Sequence, residues 1–139
     1  MGLDQRVNNS LRESIESFDF VIKEMITEKQ LYEKGEDGKK NKLAPYTLGY
    51  VRIKIKLNQP YDRTTLKLKG DFHASVEVIA YEDRMEIRSD VKHAKWLVKR
   101  YGKNILAPQA ENMREFFVKY VIPDFRKRLL SDIAAIKNR

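Results

Sequence analysis

Two short alternating runs constrain this chain more than any other feature. His73–Tyr81 places Ala74, Val76, Val78 and Ala80 on one side, and Met85 and Ile87 point the same way a few residues later. Apolar residues at every second position are the mark of a half-buried strand. Glu82-Asp83 between them is short enough for a tight reversal, so the pair reads as an antiparallel hairpin. Thr64–Lys69 alternates Leu66 and Leu68 with Lys67 and Lys69 and predicts a further short strand, ended by Gly70-Asp71. After the hairpin, Ala94, Leu97, Val98 and Tyr101 recur at helical spacing, and Gly102 follows where a helix terminator is expected.

The flanks supply helices. Ser10 and Glu13 have capping-box spacing, and Leu11, Ile15, Phe18, Ile22, Met25 and Ile26 form one apolar stripe. Val7 is in phase with that stripe and allows an earlier start, and Gly35 after Lys34 suits the end. Gly35 to Lys42 is polar, glycine-punctuated and basic, which predicts an exposed loop over 35–45. From Val51 to Leu57 two periods compete. Val51, Ile53, Ile55 and Leu57 alternate with Arg52, Lys54 and Lys56, which favours a strand, while Tyr46, Tyr50, Ile53 and Leu57 also fit a helical stripe. Asn58 to Asp62 reads as a turn. Pro108 suits the first turn of a last helix carrying Met113, Phe116, Phe117, Tyr120 and Val121, continued by Phe125, Leu129, Ile133 and Ile136. Pro123 interrupts that stripe and predicts a kink or split. Together these elements describe a single α+β domain over 1–139: a small antiparallel sheet packed with a long N-terminal helix, a short middle helix and a kinked C-terminal helix.

Composition narrows the chemistry. The absence of cysteine excludes disulfides, thiol catalysis and thiolate metal sites. Apolar runs are too short to span a bilayer, so no membrane role is expected, and MGLDQRVNNS lacks the apolar core of a secretory leader. Net charge is +8, with residues 1–30 at −2 and residues 31–70 at +6. Lys39, Lys40, Lys42, Lys54, Lys56, Lys67 and Lys69 would form a basic strip if loop and strands lay together. Such a strip attracts a phosphate backbone without reading bases, so non-specific DNA proximity is one expectation. A lysine-rich solvated surface that discourages strand pairing is the other.

Catalytic patterns are thin. Asp71 and His73, with Ser75 and Glu77 on the same strand face, juxtapose an acid and an imidazole but supply neither nucleophile nor oxyanion hole. The stretch Asp83-Arg-Met-Glu86-Ile-Arg88 echoes a nuclease strand only in spacing. His73 and His93 are too far apart, with no carboxylate cluster, to suggest a metal, and no glycine-rich phosphate loop is present. No cofactor is expected. Trp96 stands off the apolar face of its helix and is a candidate partner contact, as against packing on a neighbouring element.

The order of these features resembles the virion-morphogenesis proteins of tailed phages, the small neck or tail-completion proteins. A long helix, a basic glycine loop, "LAPYT" and then "TTLKLKGDFHASV" are similar to a segment of the type Thr-x-x-Leu-x-x-Thr-Gly-x-Leu-x-x-Ser preceding a hairpin. Leu66, Gly70, Phe72 and Ser75 take its places, and Lys69 departs from the Thr before Gly. "MEIRSDVKHAKWLVKRYG" resembles the following strand, Ser and short helix ending at Tyr101-Gly102, whereas the usual Pro and Arg before the last helix is kept only in Ala107-Pro108. Asn58 to Leu66 is similar to a variant from phages and prophages of gut bacteria. The likeness covers about residues 30–132. It implies a non-enzymatic structural protein of the head–tail region, made in the host cytoplasm. Its partners would be a portal, connector or adaptor protein, the tail tube protein and copies of itself in a ring. The resemblance also implies a helical or irregular course for residues 47–57. Lys39, Lys40, Lys42, Trp96 and Tyr101 are the candidate assembly contacts, and Lys54, Lys56, Lys67 and Lys69 the candidate DNA-facing residues.

Overall fold

A computed structural model describes residues 2–137. The N-terminal stripe becomes a helical rod: α1 (Leu3–Ser17), α2 (Asp19–Glu24) and a wider π-turn segment, Met25–Lys34. Phe18 breaks the register between α1 and α2, and its ring stacks on Tyr120 at 5.8 Å. The capping box at Ser10 does not open this helix, which starts at Leu3 after extended Gly2. Ser10 is instead buried in mid-helix, where its hydroxyl donates to Asp132 Oδ2 at 2.9 Å. Gly35 ends the rod in the left-handed region, φ 61°, a conformation only glycine adopts without cost.

The following loop is exposed over Lys39–Lys42 and at Ala44 and Pro45, while Gly35, Asp37 and Leu43 are buried and brace it from within. Glu36 and Lys42 form an isolated bridge, and the buried Asp37 carboxylate accepts the backbone N–H groups of Lys39 and Asn41 at 2.9 and 3.0 Å. Gly38 N–H donates to Asn104 O, so the loop is pinned against the C-terminal half of the chain.

Residues 48–56 are helix, not strand. Thr47 is the N-cap: its backbone is extended and its side chain accepts from Tyr50 N–H, which starts α3 (Leu48–Lys56). The alternation is therefore misleading here, and the competing tyrosine spacing is the one that reports the local structure. Thr64–Lys69 forms no strand either. It runs as irregular chain with Leu66 at φ 57°, fixed by hydrogen bonds that the Thr64 hydroxyl donates to Ala44 O and the Thr65 N–H to Tyr46 Oη.

The strand expected from His73 begins only at Val76, because Asp71–Ser75 closes into a single helical turn, α4. Strands β1 (Val76–Ala80) and β2 (Met85–Ser89) pair antiparallel, with Ala80 opposite Met85 and Val76 opposite Ser89. Val76, Val78 and Ala80 are buried as their alternation implies, and Tyr81 N–H closes the reversal on Arg84 O at 2.7 Å.

α5 (Ala94–Tyr101) ends on Gly102, φ 96°, and a 3-10 turn, Lys103–Leu106, leads to α6 (Ala110–Glu115). Pro108 precedes the Gln109 cap instead of lying within the first turn. Pro123 cannot donate an N–H and crowds the carbonyl one turn back. The helix meets this by widening into π-turns over Phe116–Val121 before α7 (Ile122–Lys137) continues. The core joins Ile22, Ile26 and Leu31 from the rod to Phe72, Ile105 and Phe116, all nearly inaccessible to solvent. The result is an α+β architecture of helices around one two-stranded sheet. No helix among the described residues is long and apolar enough to cross a membrane.

Candidate functional site: an aromatic groove above an internal lysine

The irregular segment 66–70 and the first residues of α4 lie between the start of α3 and one side of α5, and together they enclose a groove of about 490 Å³. Leu66, Leu68, Phe72 and Leu97 supply its aliphatic and phenyl surface; Tyr46, Tyr50, Trp96 and Tyr101 supply the aromatic walls. Lys69, His93 and Arg100 also line it, and Asp71 is the acid among the lining residues. A concave, mostly apolar site with a few convergent polar groups in this size range is the usual form of a recognition pocket. Leu66 is left-handed, which costs a branched residue free energy that the surrounding hydrogen bonds must offset.

Behind the tyrosine wall lies Lys54, whose long side chain is fully buried. Its Nζ donates to Lys67 O at 2.6 Å and to Gln59 Oε1 at 2.9 Å. It also sits 5.3 Å from the ring centre of Tyr46 and 5.9 Å from that of Tyr50. Lys54 makes no ion pair among the described residues, so its ammonium is held by neutral dipoles and ring faces. Burial pushes its pKa down. Burial likewise raises the Tyr50 phenol, assisted by the neighbouring Tyr46 and Tyr101 hydroxyls. Gln59 completes the arrangement by donating to Leu68 O at 2.8 Å, tying the end of α3 to the segment that forms the groove.

Thr65 fixes that segment from the other side. Its N–H donates to Tyr46 Oη at 2.9 Å, and its carbonyl accepts from His73 Nε2 at 2.7 Å. A carbonyl can only accept, so Nε2 carries the proton and Nδ1 is left bare and without a partner. Burial therefore lowers the His73 pKa, outweighing the Thr65 hydrogen bond, and Lys67 and Lys54 add to the depression.

This geometry rearranges the expected sites. Leu66, Lys69, Gly70, Phe72, Trp96 and Tyr101, predicted in separate roles, meet on one surface. Ser75 does not reach it; its hydroxyl donates to Phe72 O and pairs with Ser89 Oγ below the hairpin. Gly102 only caps α5.

The expected basic strip loses Lys54 to the interior, and several of its other members are engaged by neighbours. Lys54 is internal, Lys67 leans on Glu28 at 3.5 Å, Lys40 pairs with Glu111 at 2.6 Å, and Lys42 Nζ donates to Lys34 O at 2.7 Å. Lys39 and Lys56 remain exposed on the loop and on α3, and Lys69 belongs to the groove.

The Asp71–His73 pairing also fails to form, since both residues lie in α4 rather than a strand. His73 turns inward to Thr65 while Asp71 stays at the surface. Glu77 is engaged by Arg88 directly opposite, at 2.8 Å. Among the described residues no cluster of His, Asp and Glu is arranged to hold a metal.

Tyr46, Thr47, Tyr50, His93 and Arg100 are groove residues to which the sequence assigned no site role, and Leu68 entered only as part of an expected strand. The signal for them was the four-residue spacing of Tyr46 and Tyr50, and that of Trp96 and Arg100 on α5.

α3 is a second exposed feature. Leu48 and Ile55 flank Arg52 on one side of the helix, while Ile53 and the capping Leu57 lie roughly half a turn around from them; their exposures run from 45 to 69%. Apolar side chains gathered on one exposed helix are more informative than scattered ones. Comparison with family models, curated proteins and solved structures finds no match for this chain.

Proposed function

We propose that the protein is a structural assembly component of a tailed-phage or prophage virion, of the neck or tail-completion type. In this reading it acts by docking against neighbouring virion proteins at the head–tail junction, as copies in a ring, and performs no chemistry. The observation that carries the docking element is the exposed apolar side of α3, with Leu48 at 69% and Ile55 at 54% exposure, beside an open aromatic groove. Covering such a surface releases ordered water and stabilises an assembly by roughly 25 cal/mol per Å² of apolar area, before the costs of association. The phage element rests on the order of motifs from the N-terminal helix to Tyr101-Gly102. Lys54 is internal, and Lys67 and Lys40 are paired with Glu28 and Glu111, which lends the nucleic-acid alternative less support than the docking reading receives from α3.

Peptide mass spectrometry on density-purified particles, normalised to the major shell protein, tests this. The expected result is a few to about a dozen copies per particle, as for a closed ring. A Leu48→Asp/Ile55→Asp variant, changed only at solvent-exposed positions, should fold and fall in copy number by at least about tenfold. Absence of the wild-type protein from intact particles that retain their other tail proteins would overturn the proposal.

A further inference from the structure

The groove has a chemistry distinct from the apolar ridge of α3, and this chemistry identifies what it takes. We infer that the groove binds an acidic segment of a partner protein, in which one bulky apolar side chain is flanked by Asp or Glu. The inference rests on the docking reading and names the kind of partner segment for this part of the surface.

The inner surface, Leu66, Leu68, Phe72 and Leu97, offers hydrocarbon and no uncompensated polar group, so it suits an aliphatic or aromatic anchor. The polar lining is cationic: Lys69 and Arg100 face a single acid, Asp71. On α5 the charge continues outward through Lys95 and Lys99, neighbours of Trp96 and Arg100, and neither makes an ion pair among the described residues. Behind the tyrosines, Lys54 adds an ammonium with no counterion. An anchor flanked by carboxylates therefore meets hydrocarbon at its centre and positive charge at its edges.

A single-stranded nucleic acid would satisfy the same cations, but it needs free ring faces on which bases stack. Here each ring already has a cation over it. Lys54 lies over Tyr46 and Tyr50, whose rings also tilt together at 4.9 Å, and Arg100 lies over Trp96 and Tyr101 at 5.8 and 5.4 Å. A face that already holds a cation is closed to a base, so the rings suit one inserted side chain better than a run of stacked bases.

The test pans the folded full-length protein against a displayed random-peptide library. The enriched peptide is then measured by fluorescence anisotropy on wild type, Arg100→Glu, Lys69→Glu, Trp96→Ala and a control, Lys119→Glu, outside the groove. Enriched sequences should carry Asp or Glu beside an aromatic or aliphatic residue. Arg100→Glu and Lys69→Glu should each weaken binding by about tenfold or more, and Lys119→Glu should leave it unchanged. Thermal melts check that each variant folds, and the two rim substitutions stand in for one another. No enrichment, a neutral or basic consensus, or affinity indifferent to the rim variants would overturn the inference. So would an oligothymidylate that displaces the peptide and binds more tightly, or self-association abolished by Arg100→Glu, which would make the occupant a second copy. Because particle incorporation is read separately through α3, failure here leaves the docking reading standing, and failure there leaves the groove's preference intact.

Discussion

Lys54 is the residue on which the local arrangement turns. A buried ammonium is costly unless its hydrogen-bonding capacity is met, and Lys54 meets it with a carbonyl, an amide oxygen and two ring faces. Lys54→Ala should destabilise the fold by about 2 kcal/mol or more, since it removes stem packing and leaves Lys67 O and Gln59 Oε1 without their donor. Lys54→Met, which keeps the stem and removes the buried charge, should lose less; urea midpoints of the two variants check the order. His73 gives a pH signature. Its folded pKa is depressed, so below its ordinary value near 6.5 the unfolded chain takes up a proton that the native state resists. Stability should accordingly fall as pH drops through about 6.5, over the range down to the depressed native value. His73→Gln, which can still donate to Thr65 O, should flatten that part of the profile. Melting temperatures of both proteins from about pH 7.5 to 5 decide it.

At the scale of elements, α3 shows how a clear pattern can point the wrong way. Alternation of Val51, Ile53, Ile55 and Leu57 with three cations assigns the apolar residues to the interior and the cations to water. In the fold Lys54 is inside, while Ile53, Ile55 and Leu57 face solvent. Nothing local to the segment announces this, because the acceptors for Lys54 lie at Gln59 and Lys67 and arise only when the chain turns back. β1 and α5 were legible because their burial follows a single period, and β2 because a short reversal returns it along β1. Leu66, Gly70, Phe72 and Trp96 were legible as separate residues, but their meeting in one groove depends on an irregular segment that no period describes.

Two glycines allow a paired check of the elements. A Cβ on Gly38 would stand 2.6 Å from Ala107 Cβ and 2.8 Å from its carbonyl carbon, so Gly38→Ala should destabilise by about 1–3 kcal/mol. A Cβ on Gly49, in the first turn of α3, meets nothing within 4 Å, and Gly49→Ala should stabilise by up to about 1 kcal/mol. Denaturant midpoints of the two variants should move in opposite directions.

Over the whole molecule, stability is unevenly shared. α1 and α7 are joined where Arg128 reaches Glu13 at 3.0 Å and where Ser10 meets Asp132; within α7, Arg128 also pairs with Asp124 at 2.7 Å and holds that carboxyl below its usual range. The rod from Val21 to Leu31 contributes much of the core, whereas α3 buries chiefly Lys54. Hydrogen exchange should therefore open α3 first, with its amides exchanging at least about tenfold faster than those of Ile22, Ile26 and Leu31. Equal protection of the two would contradict this account of the packing.

Trp96 is the only tryptophan in the sequence, is 59% exposed, and forms part of the groove wall. The protein therefore carries a built-in optical reporter at its recognition surface. Its emission in the free chain should resemble that of a hydrated indole and shift to shorter wavelength when a side chain displaces water beside it. Occupancy can then be followed in unlabelled protein, against tyrosine signals removed by choice of excitation wavelength.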